Sequence, residues 1–188
     1  MLQNPHPPNG GVQPTGHELI EATPFTQVTP QAVLVYDEIA SDQLDRDYWR
    51  LMCSIRFYVG KPDDQTWVWV PSGFLTDGAT VPRLLYWLVP PWGRYGHAAV
   101  IHDWLCEHLK LYQRGQMIDI DRKQADQIFN EAMKATGVNG LTRRLMYGGV
   151  TAWRWFSKLI RRRPDNTPTG YLVLKWALEK DWRDVHPQ

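Results

Sequence analysis

Hydrophobic and polar residues alternate most regularly across residues 49–60. Trp49, Leu51, Cys53, Ile55, Phe57 and Val59 fall on one face, and Arg50, Ser54 and Arg56 on the other. A period of two with one polar face predicts a strand half covered by a core. The turn-forming run KPDDQ follows at 61–65, and TWVWVP at 66–71 reads as a second strand, so 49–70 is a predicted hairpin. The apolar run at 32–37 predicts one more strand. Together these predict a small antiparallel sheet in the first half of the chain.

Further along, the period becomes helical. Within residues 94–110, positions 98, 101, 105 and 109 are apolar or small and form one stripe, with His102 inside it and Asp103 at its side. Residues 121–137 carry the clearest stripe: Ala125, Ile128, Phe129, Ala132 and Met133, bordered by Asp126. Asp121 and Gln124 have the spacing of a capping box, with Asp119 as the other candidate cap, and Gly137 suits the far end. A third helix is predicted over about 141–162, its stripe drawn from Leu145, Met146, Gly149, Val150, Trp153, Phe156 and Ile160. One more short helix is predicted in 170–188. Residues 72–83 and 111–120 read as loops, and 83–89 as a short helix stopped by Pro90-Pro91. The predicted fold class is α+β: a small antiparallel sheet followed by a helical bundle.

Composition changes this picture mainly at the start. Residues 1–30 are rich in Pro, Gly, Thr and Gln and cannot bury a core. They are expected to form an extended arm, leaving 31–188 as a single α+β domain. Of 188 residues, 43% are hydrophobic and 22% charged, the profile of an ordinary globular chain. A formal net charge of +1 supplies no broad basic field, which argues against nucleic acid as a partner. The ten tryptophans read first as large core residues. Cys53 and Cys106 have no CxxC spacing, which argues against a disulfide scaffold or a thiolate zinc site. The N-terminus lacks the apolar stretch of a signal peptide, and no run approaches the roughly 18 apolar residues of a membrane span.

Candidate chemistry concentrates in AAVIHDWLCE, residues 98–107. If the helices at 94–110 and 121–137 pack antiparallel, His102 faces Asp126, and a carboxylate that orients an imidazole makes a general base. Asp103 then points toward the preceding loop, where Asp77 can join it. Two carboxylates with backbone oxygens suit a hard divalent cation, calcium or magnesium. The sequence therefore nominates His102 and Asp126 as a catalytic pair and Asp103 and Asp77 as metal ligands, the metal polarising a substrate. A plainer reading fits the same residues: a His–Asp hydrogen bond locking two packed helices. Cys106, four residues after His102, reaches the same face, but nothing marks it as activated. His97 and His108 lie five and six residues from His102, not at the i, i+4 spacing of a helical zinc pair. Asp77 and Arg83 are expected to pair within their loop. Residues 141–163 hold seven basic residues and no acidic one. A basic amphipathic helix can lie on an anionic membrane surface, contact phosphates, or pack on a core with its basic face in water.

The string FLTDGATVPRLLYWLVPPWGRYGHAAVIHDWL, with the later Ala125, Asp126 and Phe129, resembles domain-of-unknown-function family 1353, widespread in phages and prophages. That family shows a Thr-Asp-x-Ala-Ser-Val-Pro-Arg segment, a proline-rich turn, Ala-Ala-x-x-His-Asp, and an Ala-Asp-x-x-Phe helix. The resemblance covers about residues 70–150. Thr80 stands where serine is usual, and Cys106 where tyrosine is frequent. The resemblance implies a phage or prophage origin, hence host cytoplasm or virion as location, and carries no activity. In arrangement, His102, Asp103 and Asp126 are also similar to secreted A2-type phospholipases, without the paired helix disulfides or the glycine-rich calcium loop at its usual distance. Two functional expectations follow. One is a phage-encoded, metal-assisted hydrolase acting on envelope material. The other is a non-enzymatic tail, baseplate, neck or assembly protein whose arm, 1–30, binds phage structural proteins.

Overall fold

The computed structural model describes residues 28–29, 32–60, 65–78, 95–160 and 170–186, except for the side chains of 28, 29, 153 and 156–160. Nearly all of the predicted arm, the turn at 61–64 and the short helix at 83–89 lie outside the described residues. In chain order the elements are β1 (Val28–Thr29), β2 (Leu34–Tyr36), α1 (Glu38–Leu44), β3 (Trp49–Leu51), β4 (Ile55–Tyr58), β5 (Thr66–Val70) and β6 (Leu75–Thr76). There follow α2 (Gly96–His108), β7 (Lys110–Gln113), β8 (Gln116–Asp119), α3 (Arg122–Ala135), α4 (Gly140–Ile160) and α5 (Gly170–Val185). The fold is α+β, as the patterning predicts, but the strands form two antiparallel sheets. One has the order β1-β4-β5-β7-β8 and the other β2-β3-β6.

The predicted hairpin exists as β4 and β5, with Ile55 opposite Val70 and Phe57 opposite Val68, all four buried. Its first strand is shorter than the alternation suggests. The run 49–60 breaks at residues 52–54, and its first part, β3, belongs to the other sheet. Long-range bonds decide this. The Leu51 amide donates to the Phe74 carbonyl (2.9 Å) and the Gly73 amide to the Leu51 carbonyl (2.7 Å), so β3 is held by the chain beyond β5. Nor is Arg50 on a wet face. It is buried, ion-paired with Asp37, bonded to the Gly73 carbonyl (3.0 Å) and stacked on Trp182.

Residues 111–120, expected as a loop, contain the β7–β8 hairpin. Arg114 and Gly115 turn it with φ of 50° and 79°, the consecutive left-handed pair of a two-residue hairpin turn. Its polar flanks, Gln113 and Gln116, hid the alternation. Val28–Thr29, expected within the arm, pair with Arg56 and Phe57 as the edge strand β1. The helix α1, unpredicted, is started by Asp37, whose carboxylate accepts from the Ala40 amide (2.8 Å).

The capping box of α3 is present. The Gln124 amide donates to Asp121 (2.7 Å), and the Gln124 side chain accepts from the Asp121 amide (2.8 Å). Gly137 follows its end at φ 72°. A single buried cluster joins Phe57 and Val68 of the sheet to Ile101 and Leu105 of α2 and to Phe129 and Met133 of α3. Helix α2 touches both β5 and α3, and its His102 faces α3. The stripe of α4 is rotated from the predicted one. Met146 is buried, with Tyr147 and Val150 against the core, while Leu145 and Gly149 are exposed.

Helix α5 closes over the smaller sheet through charged groups. Lys175, 1% exposed, pairs with Glu107 of α2 and with Glu179 (2.9 Å), and lies 4.1 Å from the centre of the Phe74 ring. Glu179 also accepts from the Leu75 amide (2.9 Å). His108 sits between Trp104 and Trp176. Burial, reinforced by Lys175, pushes it down to about 3, so it stays neutral. At the far end Trp182 covers Gly73, where an added Cβ would lie 2.6 Å from a ring carbon on a backbone with φ 79°. Gly73→Ala is therefore expected to destabilise the chain by about 2–4 kcal/mol, combining overpacking with left-handed strain. Urea unfolding midpoints of the two proteins measure it.

Candidate functional site

The stripe of α2 buries Ala98, Ile101 and Leu105, which forces His102 onto the seam with α3. There the His102 Nε2–H donates to Asp126 Oδ1 at 3.0 Å. The imidazole also stacks on Phe129, one turn along α3, with ring centres 4.5 Å apart. The predicted pair of helices thus meets at the predicted residues. The His102 side chain keeps 13% of its surface accessible and that of Asp126 only 4%.

The second oxygen of Asp126 faces Arg154 of α4, with Nη1 to Oδ2 at 3.0 Å. One buried carboxylate therefore joins three helices and sits between two cationic groups. Sequence reasoning counted Arg154 only among the basic residues of 141–163. The signal that finds it is register: Arg154 stands four, seven and eight residues after Val150, Tyr147 and Met146, all on the core side of α4. Cys106 completes the cluster, its Sγ 3.5 Å from His102 Nε2 and 4.0 Å from Nδ1.

Burial alone would push the His102 imidazole down, but the hydrogen bond to Asp126 and the contact with Cys106 outweigh it, with Asp103 adding attraction. The net effect raises it to about 10. At neutral pH His102 is an imidazolium, which can donate a proton but not take one.

Asp103 points away from α3 toward β6, as expected from its place beside the stripe. Its Oδ2 accepts from the Thr76 hydroxyl, which in turn accepts from the Gly78 amide (3.0 Å). Burial is the main force on Asp103, and the nearby charge of Asp77 acts in the same direction. Against the Thr76 bond and the attraction of His102, they push it up to about 8. Asp77 makes an ion pair with Arg46 (2.8 Å). Arg83, its expected partner, lies outside the described residues. Asp103 and Asp77 are thus close enough to repel, and Asp103 also feels the charge of His102. Among the described residues, no three His, Cys, Asp or Glu side chains converge as a metal's ligands would. No described helix is long and apolar enough to cross a membrane.

Residues 49–150 match the family described as "Protein of unknown function (DUF1353)". The chain belongs to this family. The match holds His102, Asp103, Asp126, Thr76 and Asp77, but not Arg154, Lys175 or Glu179. A stretch of 85 residues is 35% identical to the uncharacterized protein y4iH of Sinorhizobium fredii, covering 43% of this chain and 31% of that protein. The chain thus spans less than a third of that relative. No solved structure matches the chain.

A pH dependence of stability follows from the two raised groups. The folded chain holds protons on His102 and Asp103 that the unfolded chain releases near their ordinary values of 6.5 and 3.8. The His102 contribution is complete below pH 6.5 and is lost as pH rises toward about 10. Asp103 costs stability as pH rises from about 4 to about 8. Urea unfolding across pH 4–10 should therefore show stability falling with pH. His102→Gln should flatten the upper part of the curve. Asp103→Asn should flatten the lower part and exceed wild type at pH 8 by on the order of 1 kcal/mol.

Proposed function

We propose that this chain is a phage-encoded hydrolase that cleaves an ester or amide in envelope material at His102. The reading rests on one observation above all: the hydrogen bond between the partly accessible His102 and the buried Asp126, braced by Arg154. Asp126 fixes the tautomer and the direction of the ring, as an orienting carboxylate does. His102 moves the proton, and an imidazolium at rest suits the step that protonates a leaving group.

In this reading Asp103 and Asp77 receive a divalent cation, calcium or magnesium. Their carboxylate oxygens would hold such a hard cation. A doubly charged ion there would replace the proton that Asp103 otherwise holds. Its field would also lower His102 toward the neutral form, so that the same ring could take a proton from water. The mutual repulsion of the two carboxylates supports this reading, because an added cation relieves it.

A second reading, a virion or assembly component without catalysis, draws on a different surface. Val33, Val35, Tyr36 and Ile39 are all exposed along the edge strand β2 and the start of α1, next to where the arm would enter. Exposed apolar residues at a sheet edge favour such docking.

Metal content by elemental mass spectrometry, after loading with calcium or magnesium, tests the first reading together with turnover of a panel of aryl esters, amides and phospholipid vesicles. The expected outcome is a stoichiometric cation that Asp103→Asn loses, and a fall in kcat of about 100-fold or more in His102→Gln at unchanged helicity. Undiminished turnover in His102→Gln overturns the assignment. No cation and no turnover, with the chain recovered in purified particles, favours the second reading.

A further inference from the structure

Helix α4 is apolar on two faces, and the core uses only one. Met146, Tyr147 and Val150 pack inward. On the opposite side Leu141, Leu145, Gly148, Ala152 and Trp155 follow at spacings of four, three, four and three, the register of a single helical face. All five are exposed: Leu141 by 66%, Leu145 by 40% and Trp155 by 71%. A side chain added at Gly148 or Gly149 would meet nothing within 4 Å. Exposed Arg144 flanks this seam, and residues 141–163 contain seven basic residues and no acidic one.

We infer that this outer face of α4 docks on an anionic lipid surface. Charge decides between lipid and a second copy of the chain. A second copy laid against this face would bring another segment with seven basic residues and no acidic one beside the first. Nothing acidic on either helix would offset that repulsion. A bilayer with acidic headgroups supplies the missing charge, and an accessible basic residue near such a surface, Arg144 among them, is attracted, whereas Arg154 stays paired with Asp126. The apolar residues match as well. Leucines and a tryptophan on one side of a basic helix insert shallowly at the headgroup boundary, where the indole ring can bury its body and keep its N–H wet. Docking in this way leaves the core of the protein untouched, because the inward face of the same helix remains packed.

The inference stands apart from hydrolysis, and binding alone tests it. The full chain is floated with phosphatidylcholine vesicles and with vesicles containing an equal share of phosphatidylglycerol, at low and high salt. Binding is expected only to the anionic vesicles, and it should weaken as salt rises. Arg144→Glu should weaken it by at least about fivefold, the equivalent of one lost headgroup attraction. Trp155→Ser should weaken it by about tenfold. Arg114→Glu, an exposed charge on the β7–β8 turn, should bind as wild type. Equal binding to both vesicle types, or full binding by Trp155→Ser, overturns the inference. So does a wild-type dimer in light scattering that Trp155→Ser makes monomeric without any vesicle binding, since that gives the face to a second copy.

Discussion

A carboxylate taken out of water must be met by positive charge or hydrogen-bond donors from the protein. Asp126 imposes that demand at the junction of three helices. His102 answers from α2 and Arg154 from α4. Removing either partner leaves the other two groups imperfectly matched in a buried place, a change that typically costs about 3–5 kcal/mol where such pairs are broken. The packing of the helices and the geometry of the candidate site are therefore one problem with one solution. The site needs no loop to hold it, because the residues that orient His102 also fix the angle at which α2, α3 and α4 meet.

A second set of buried charges lies at the end of α2. Glu107, Lys175 and Glu179 bring two negative groups to one positive, and Glu107 also contributes to the raised value of Asp103. Burial raises Glu107, while its partner Lys175 pulls the other way. Asp103 thus sits between two systems, one net positive around Asp126 and one net negative around Lys175. It is the group that neither system fully compensates. Natural chains retain an uncompensated buried carboxyl where function gains from it more than stability loses.

What was legible in the sequence was local. Helix α3 carried its own cap, its stripe and its stop, so both its extent and the inward position of Asp126 could be read. His102 was found because it interrupts an apolar stripe. The break inside 49–60 could not be read, since the alternation runs through it unchanged and the choice of sheet is made by amides near Gly73. The same holds for Arg50, whose burial depends on Asp37 and on Trp182 far along the chain. The β7–β8 hairpin was hidden by polar flanks around Arg114 and Gly115. Arg46, Thr76 and Arg154 complete the charges of Asp77, Asp103 and Asp126 from elements with no fixed spacing to them. Only Arg154 left a trace, in its register on α4.

The family match ends at residue 150, part-way along α4, four residues before Arg154. The matched stretch of this chain holds the imidazole and its carboxylate. The guanidinium that meets the second carboxylate oxygen lies beyond it. The end of the match thus runs through the charge balance of the site rather than around it. A fragment of this chain cut at that boundary would carry the buried carboxylate without one of the two cations that balance it.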